Sequence, residues 1–308
     1  MDSSLQRRVA LPPGKRYNYR RLTRIYPVPA DSERHIMSWN SYPVPEALPP
    51  DAEQFSPAPA PRQGYTPTIL EMVAFFTMAA ILITLTQALG AAVSIHWHLF
   101  GTITLRKLAY LPRFSIPAMV VSYGVVALAT VALYRRVWPD GFLAGIHWNF
   151  SQVRRYALWL PMLGIGLGVA MQLASNYLPI PKELPVDSFF QNALDAWMVA
   201  LFGVFIAPIC EEIAFRGFLY PSLRPWTGRI LAAILTSVPF AFLHAQQVGH
   251  AWGPLSLVFI VSLVLVWVRE RTNSVACSAL VHACYNFSIF AAIFYASGGF
   301  QHLDRLKD

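Results

Sequence analysis

From Ile69 onward the chain is a succession of apolar runs, each near the about 20 residues that a helix needs to cross about 30 Å of hydrocarbon. Seven can be read, over approximately 69–95, 117–134, 156–178, 196–220, 229–247, 254–268 and 274–297. Backbone polar groups in lipid must be satisfied inside the protein, so runs of this length are read as helices, whereas a barrel would need short alternating strands. Composition agrees: 13% of the 308 residues are charged, against about 25% in a soluble domain, and 55% are hydrophobic. The expected fold class is all-α, a polytopic transmembrane bundle of about seven helices with a disordered N-terminal tail.

Residues 1–66 differ in kind. They are rich in Pro, Arg and Tyr, with pairs such as Pro12-Pro13 and Pro49-Pro50, and hold no sustained period of 3.6 or 2. That composition cannot build a packed core, so a disordered, solvated tail is expected, with binding to anionic lipid or to a partner as a further option. The divisions expected along the chain are the tail at 1–66, membrane helices of unassigned role over 67–195, a functional helix core over 196–297 and a C-terminal tail over 298–308. The first thirty residues lack an apolar core ending in a cleavage site, so insertion through the first membrane helix is expected.

The net charge of +8 does not form an interleaved basic and aromatic patch, so no nucleic-acid partner is expected. The basic residues sit between the apolar runs, where they act as topology signals. Eighteen of the 24 Lys and Arg fall on the N-terminal side of the membrane and six on the other, which favours a cytoplasmic N-terminus. Arg106, Lys107 and Arg113 in the first outer loop run against that pattern. Short loops suggest a bacterial inner membrane. Cys210, Cys277 and Cys284 form no CxxC pair and lie in apolar surroundings, which reads as packing rather than disulfide or thiolate-metal chemistry.

What needs a reason is the polar content of the runs. Glu211 and Glu212 follow a stretch free of charge from Ala196 to Cys210. A charge in a bilayer centre costs at least about 2.5 kcal/mol, so such residues face a protein interior or a water-filled cavity. Glu212 and Arg216 are four apart, share a helix face and can pair. Glu211, turned about 100° from its neighbour, is left as the free carboxylate. His244 lies in the fifth run, and His282 and Asn286, four apart on one face, lie in the seventh. Pro208 and Pro239 precede Glu211 and His244 and are expected to free backbone carbonyls and open the bundle locally.

A carboxylate and an imidazole can together deprotonate water, and an imidazole N–H with an amide NH₂ can stabilise an oxyanion. That combination describes peptide hydrolysis without a covalent intermediate. The same atoms allow a zinc reading, with Glu211, His244 and His282 as three ligands, although no H-E-x-x-H is present. A proton-coupled transporter is another use of intramembrane Glu and His, and an inactive scaffold of the same fold is a third.

Glu211-Glu212-x-x-x-Arg216, Phe240-x-x-x-His244 and His282-x-x-x-Asn286 resemble, in order and setting, the three motifs of the CAAX-protease and bacteriocin-processing (Abi) family, type II CAAX prenyl endopeptidase-like. The flanking Phe215-Arg216-Gly217 and Arg269-Glu270-Arg271-Thr272-Asn273-Ser274 are similar too. The resemblance spans about residues 196–290. It implies an intramembrane endopeptidase of a membrane-associated or lipidated protein or peptide. In that scheme Glu211 and His244 activate water, His282 and Asn286 hold the oxyanion, and Glu212 and Arg216 support the site. No cofactor is required, with Zn²⁺ as the alternative, since bacterial relatives are usually labelled metalloproteases. Membrane lipid and a membrane-associated substrate are the expected partners.

Overall fold

The computed structural model describes residues 65–181 and 184–306. The expected tail, apart from Tyr65 and Thr66, and the last two residues of the chain lie outside the described residues. Every named element among the described residues is helical. Five helices are long and apolar enough to cross a membrane: Ile69–His96, Pro112–Val137, Ala193–Leu243, Trp252–Thr272 and Val275–Ala296. Trp159–Ser175 is a shorter apolar helix. The fourth and fifth runs of the sequence are one continuous stretch of 51 residues, broken at Gly228, whose φ of 75° and ψ of 178° lie outside helical space. Only glycine adopts that conformation without strain, so the turn between two apolar rods is written as a single residue.

α1 (Ile69–His96) begins at a capping box in which Thr68 and Glu71 satisfy each other's backbone N–H groups. Glu71 also accepts from the Tyr65 hydroxyl and from Trp138 Nε1 at 2.8 Å, and Tyr134 donates to the Glu71 carbonyl at 2.8 Å. These bonds pin the start of α1 to the end of α3 (Pro112–Val137), which returns antiparallel after the short α2 (Leu105–Ala109). Tyr65, placed in the tail by composition, therefore belongs to the bundle. Burial and the Glu71 carboxylate push its phenol up to about 12.

Midway, Thr86 and Ser122 share a hydrogen bond of 2.7 Å, which fixes the rotation of α1 and α3 against each other. Two short helices, α4 (Phe142–Gly145) and α5 (Phe150–Arg155), carry the chain to α6 (Trp159–Ser175).

α6 packs along α11 (Val275–Ala296) through Gly164 and Gly168. A Cβ at Gly164 would stand 2.5 Å from the Val281 carbonyl oxygen, and one at Gly168 would meet Ser288. The small residues let two backbones touch, which is how helices gain contact in lipid. α10 (Trp252–Thr272) closes the bundle, and its C-cap Asn273 adopts a left-handed conformation. Apolar residues such as Leu128, Leu158 and Ile230 point outward, as lipid-facing residues do.

Candidate active site

The Ala193–Leu243 stretch does not run as a plain α-helix. α7 (Ala193–Leu201) passes into a π-helical turn over Phe202–Ile206, then α8 (Ala207–Glu212), a second π segment over Ile213–Leu219 and α9 (Tyr220–Leu243). α8, which ends in both glutamates, is thus bracketed by the wide turns often found at functional positions. Pro208 explains one consequence. In a π register the carbonyl of Gly203 looks for the N–H of residue 208, which proline lacks. Asn286 supplies the donor instead, its Nδ2 standing 2.7 Å from the Gly203 oxygen. The carbonyl freed by Pro208 is real, and another helix satisfies it.

Below α8 lies a sealed polar layer. Glu212 and Arg216 are fully buried and joined at 2.8 Å between Oε1 and Nη1. Arg216 Nη2 donates to the Ser262 hydroxyl at 2.7 Å and to the Ser262 carbonyl at 2.9 Å, and its guanidinium lies 4.6 Å from the centroid of the Phe240 ring. His282 Nδ1 stands 3.1 Å from Glu212 Oε1. A carboxylate already paired with arginine accepts, so this nitrogen carries the proton and donates. The pairing of Glu212 with Arg216 matches the spacing argument, while Ser262 was invisible to it, being one serine in an apolar run. Arg216, counted by sequence among the charges that set topology, is instead an interior residue.

Glu211 differs: its side chain keeps 20% of its exposure and its Oε2 lies 3.8 Å from His282 Nε2. That gap is too long for a direct hydrogen bond. Glu211 borders a cavity of about 310 Å³ whose other lining residues carry no charge, among them Phe75 and Ala79 of α1 and Val126 and Ala127 of α3. The helices before residue 193, unassigned by sequence, thus wall the cavity at the free carboxylate.

His244 caps α9, with Nδ1 2.9 Å from the Phe240 carbonyl oxygen. A carbonyl only accepts, so Nδ1 holds the proton and Nε2 is left with its lone pair when the ring is neutral. Phe240 stands between the histidines, its centroid 5.0 Å from that of His244 and 5.8 Å from that of His282. The structure therefore joins Glu212, Arg216 and His282 by hydrogen bonds, brings Glu211 to 3.8 Å from His282 and sets His244 across one aromatic ring. Asn286 joins through the backbone of the first π turn rather than through the carboxylates. Among the described residues no three His, Cys, Asp or Glu side chains converge as metal ligands, so the Glu211, His244 and His282 set does not fit a zinc centre in this arrangement.

The chain aligns with two proteins of Lactococcus lactis. It is 27% identical to UPF0177 protein YxdF over 172 residues, 52% of this chain and 89% of that protein, and 28% identical to UPF0177 protein YbdI over 155 residues, 47% and 82% of the two. No solved structure matches it. The family model described as type II CAAX prenyl endopeptidase Rce1-like matches residues 193–288, which run from the start of α7 through most of α11 and include Glu211, Glu212, Arg216, His244, His282 and Asn286. Residues 193–288 of this integral membrane protein are thus similar to a type II CAAX prenyl endopeptidase Rce1-like domain, a likeness that supports a peptidase.

Proposed function

We propose that the chain is an intramembrane endopeptidase that hydrolyses a peptide bond of a membrane-associated or lipidated protein or peptide, using water activated at Glu211 and His244. One observation carries this: Glu211, within the Rce1-like region, is the charged residue at the edge of an apolar cavity, and an imidazole lies 3.8 Å from it. An apolar chain or side chain of the substrate fills the cavity, and the peptide bond beside it is presented to the carboxylate.

A water molecule held by Glu211 gives one proton to the His244 lone pair or to Glu211 itself while its oxygen adds to the peptide carbonyl. The carbonyl oxygen becomes an oxyanion. His282 holds one proton at Nδ1 against Glu212, so a second proton at Nε2 makes it a donor toward the developing charge. Asn286 spends one N–H on Gly203 and keeps the other for the same oxygen. The proton taken from water then passes to the departing amine nitrogen as the C–N bond breaks. No cofactor is needed for these steps, and Glu212, Arg216 and Ser262 hold His282 in place.

The orientation with the N-terminus inside, in a bacterial inner membrane, is part of the same proposal. It is supported by a detail of α3: Arg113, one of the three basic residues that ran against the pattern, pairs with the buried Asp195 at 3.2 Å and so has a structural task.

The experiment is cleavage in proteoliposomes of a fluorescent peptide ending in S-farnesylcysteine and an aliphatic tripeptide. Glu211→Gln is expected to reduce the rate by a factor of about 100 or more, the usual scale for losing a general base. Full activity in that variant would refute the assignment. Inhibition by chelators that zinc reverses would replace the metal-free route, and counterflow of a solute would favour a transporter.

A further inference from the structure

One polar group in the cavity wall is not used by the chemistry above. The face that α3 turns to the cavity carries Tyr123, Val126, Ala127 and Thr130, at the spacing of one helical stripe. Thr130 spends its hydroxyl on the Val126 carbonyl at 2.7 Å. Tyr123 lines the cavity, has no such partner among the described residues, and its oxygen is not among their sealed, unbonded polar atoms.

Its position is fixed from two sides. The neighbouring Ser122 is buried and bonded to Thr86 of α1. The Tyr123 ring lies against Phe202, the first residue of the π turn, with centroids 5.8 Å apart. Glu211 and Cys210 are the titratable groups in electrostatic reach of the phenol, and a thiol is a weak donor.

A peptide brought into an apolar cavity carries carbonyls that leave water, and each costs free energy unless a donor meets it. The lining offers few donors. We infer that Tyr123 is a substrate-binding residue whose hydroxyl donates a hydrogen bond to a peptide carbonyl of the substrate beside the bond presented to Glu211, while its ring remains part of the apolar wall. This assignment rests on the peptidase function proposed above. It places one polar contact with the substrate outside the Rce1-like domain, on a helix that the family match does not include. No covalent step is involved.

Tyr123→Phe removes the hydroxyl and keeps the ring. The measurement has two arms, both with the farnesylated peptide. In the first, its affinity for Glu211→Gln protein is read by fluorescence anisotropy with and without Tyr123→Phe. In the second, turnover is compared in protein that retains Glu211. Loss of one neutral hydrogen bond is expected to raise Kd and KM about five- to tenfold, with kcat within about twofold and the melting temperature unchanged. Unchanged Kd and KM, or a loss confined to kcat, would overturn the assignment, the latter because the hydroxyl would then be serving Glu211 rather than the substrate. A lowered melting temperature with unchanged Kd would reduce Tyr123 to a packing residue. The two levels separate cleanly: if Glu211→Gln still cleaves, the peptidase site itself is wrong, whereas an inactive Glu211→Gln beside a Tyr123→Phe that matches the parent in Kd and KM sinks this inference alone.

Discussion

The layer built on Glu212 and the cavity bordered by Glu211 are one residue apart in the chain and differ in how far their polar atoms are spent. Below α8, a carboxylate, a guanidinium, a serine and an imidazole share four contacts of 3.1 Å or less, all within the protein. At the cavity, Glu211 is partly exposed and meets its imidazole only at 3.8 Å, and Tyr123 bonds to nothing described. Groups held by several contacts keep a shape, even though Glu212 Oε2 and Arg216 Nε find no partner among the described residues, and groups with few contacts can act on something that arrives. On the proposed function the adjacent glutamates are a structural residue and a reactive one, divided by the about 100° step of a helix.

Substitutions can break that division. The largest effect is expected for Arg216→Leu, which leaves the Glu212 carboxylate buried without its cation. Removing one partner of such a pair costs about 3–5 kcal/mol, so the variant should melt well below the parent in detergent and lose cleavage with its fold. Glu211→Gln should lose cleavage with its melting curve intact. Should the two variants melt alike, the contrast between the glutamates is wrong.

A smaller effect is expected at the helix contact that carries His282. Gly168→Leu drives a side chain into Ser288 of α11, and overpacking of this kind costs about 1–3 kcal/mol. Both stability and activity should fall, while Gly166→Leu, at a position with open space around it, should change neither.

The smallest effect concerns His147, in the connection between α4 and α5, whose carbonyl accepts from Val275 at the start of α11. Burial first, and then the Arg269 guanidinium, hold its imidazole below the usual histidine range. The unfolded chain then binds a proton at higher pH than the folded one does. Stability from this group is present above about pH 6.5 and is lost as pH falls through the depressed value. Melting at pH 7.5 and pH 5.5 should differ more in the parent than in His147→Gln, and an equal difference would dismiss the residue as a source of acid sensitivity.

Much of the bundle can be read from the chain because lipid permits few alternatives: a long apolar run is a helix. What escaped was register and continuity. The break at Gly228 is one residue with a positive φ, and an apolar run shows no sign of it, so two runs and one bent helix look alike. The π turns are equally silent, since one extra residue per turn changes which carbonyl faces which donor without changing composition. At the site, spacing reveals Glu212 with Arg216, because four residues make one helical step. Glu211 with His282 is 71 residues apart and depends on how α11 docks through Gly164 and Gly168. Pro208 hinted at an orphan carbonyl, but the identity of its rescuer, Asn286, is a tertiary fact. Tyr123 is one aromatic among apolar neighbours and acquires meaning only when three helix faces meet.

The carbonyl of Gly203 also carries a consequence for synthesis. The donor that Pro208 cannot provide comes from α11, which leaves the ribosome after the other described membrane helices, and the imidazole that bonds Glu212 and stands 3.8 Å from Glu211 comes from the same helix. Until residues 275–296 are in the bilayer, the segment bearing Glu211 has an unanswered backbone oxygen and no neighbouring imidazole from α11. On the function proposed above, the nascent protein is thus inert toward its membrane neighbours until α11 has entered the bilayer.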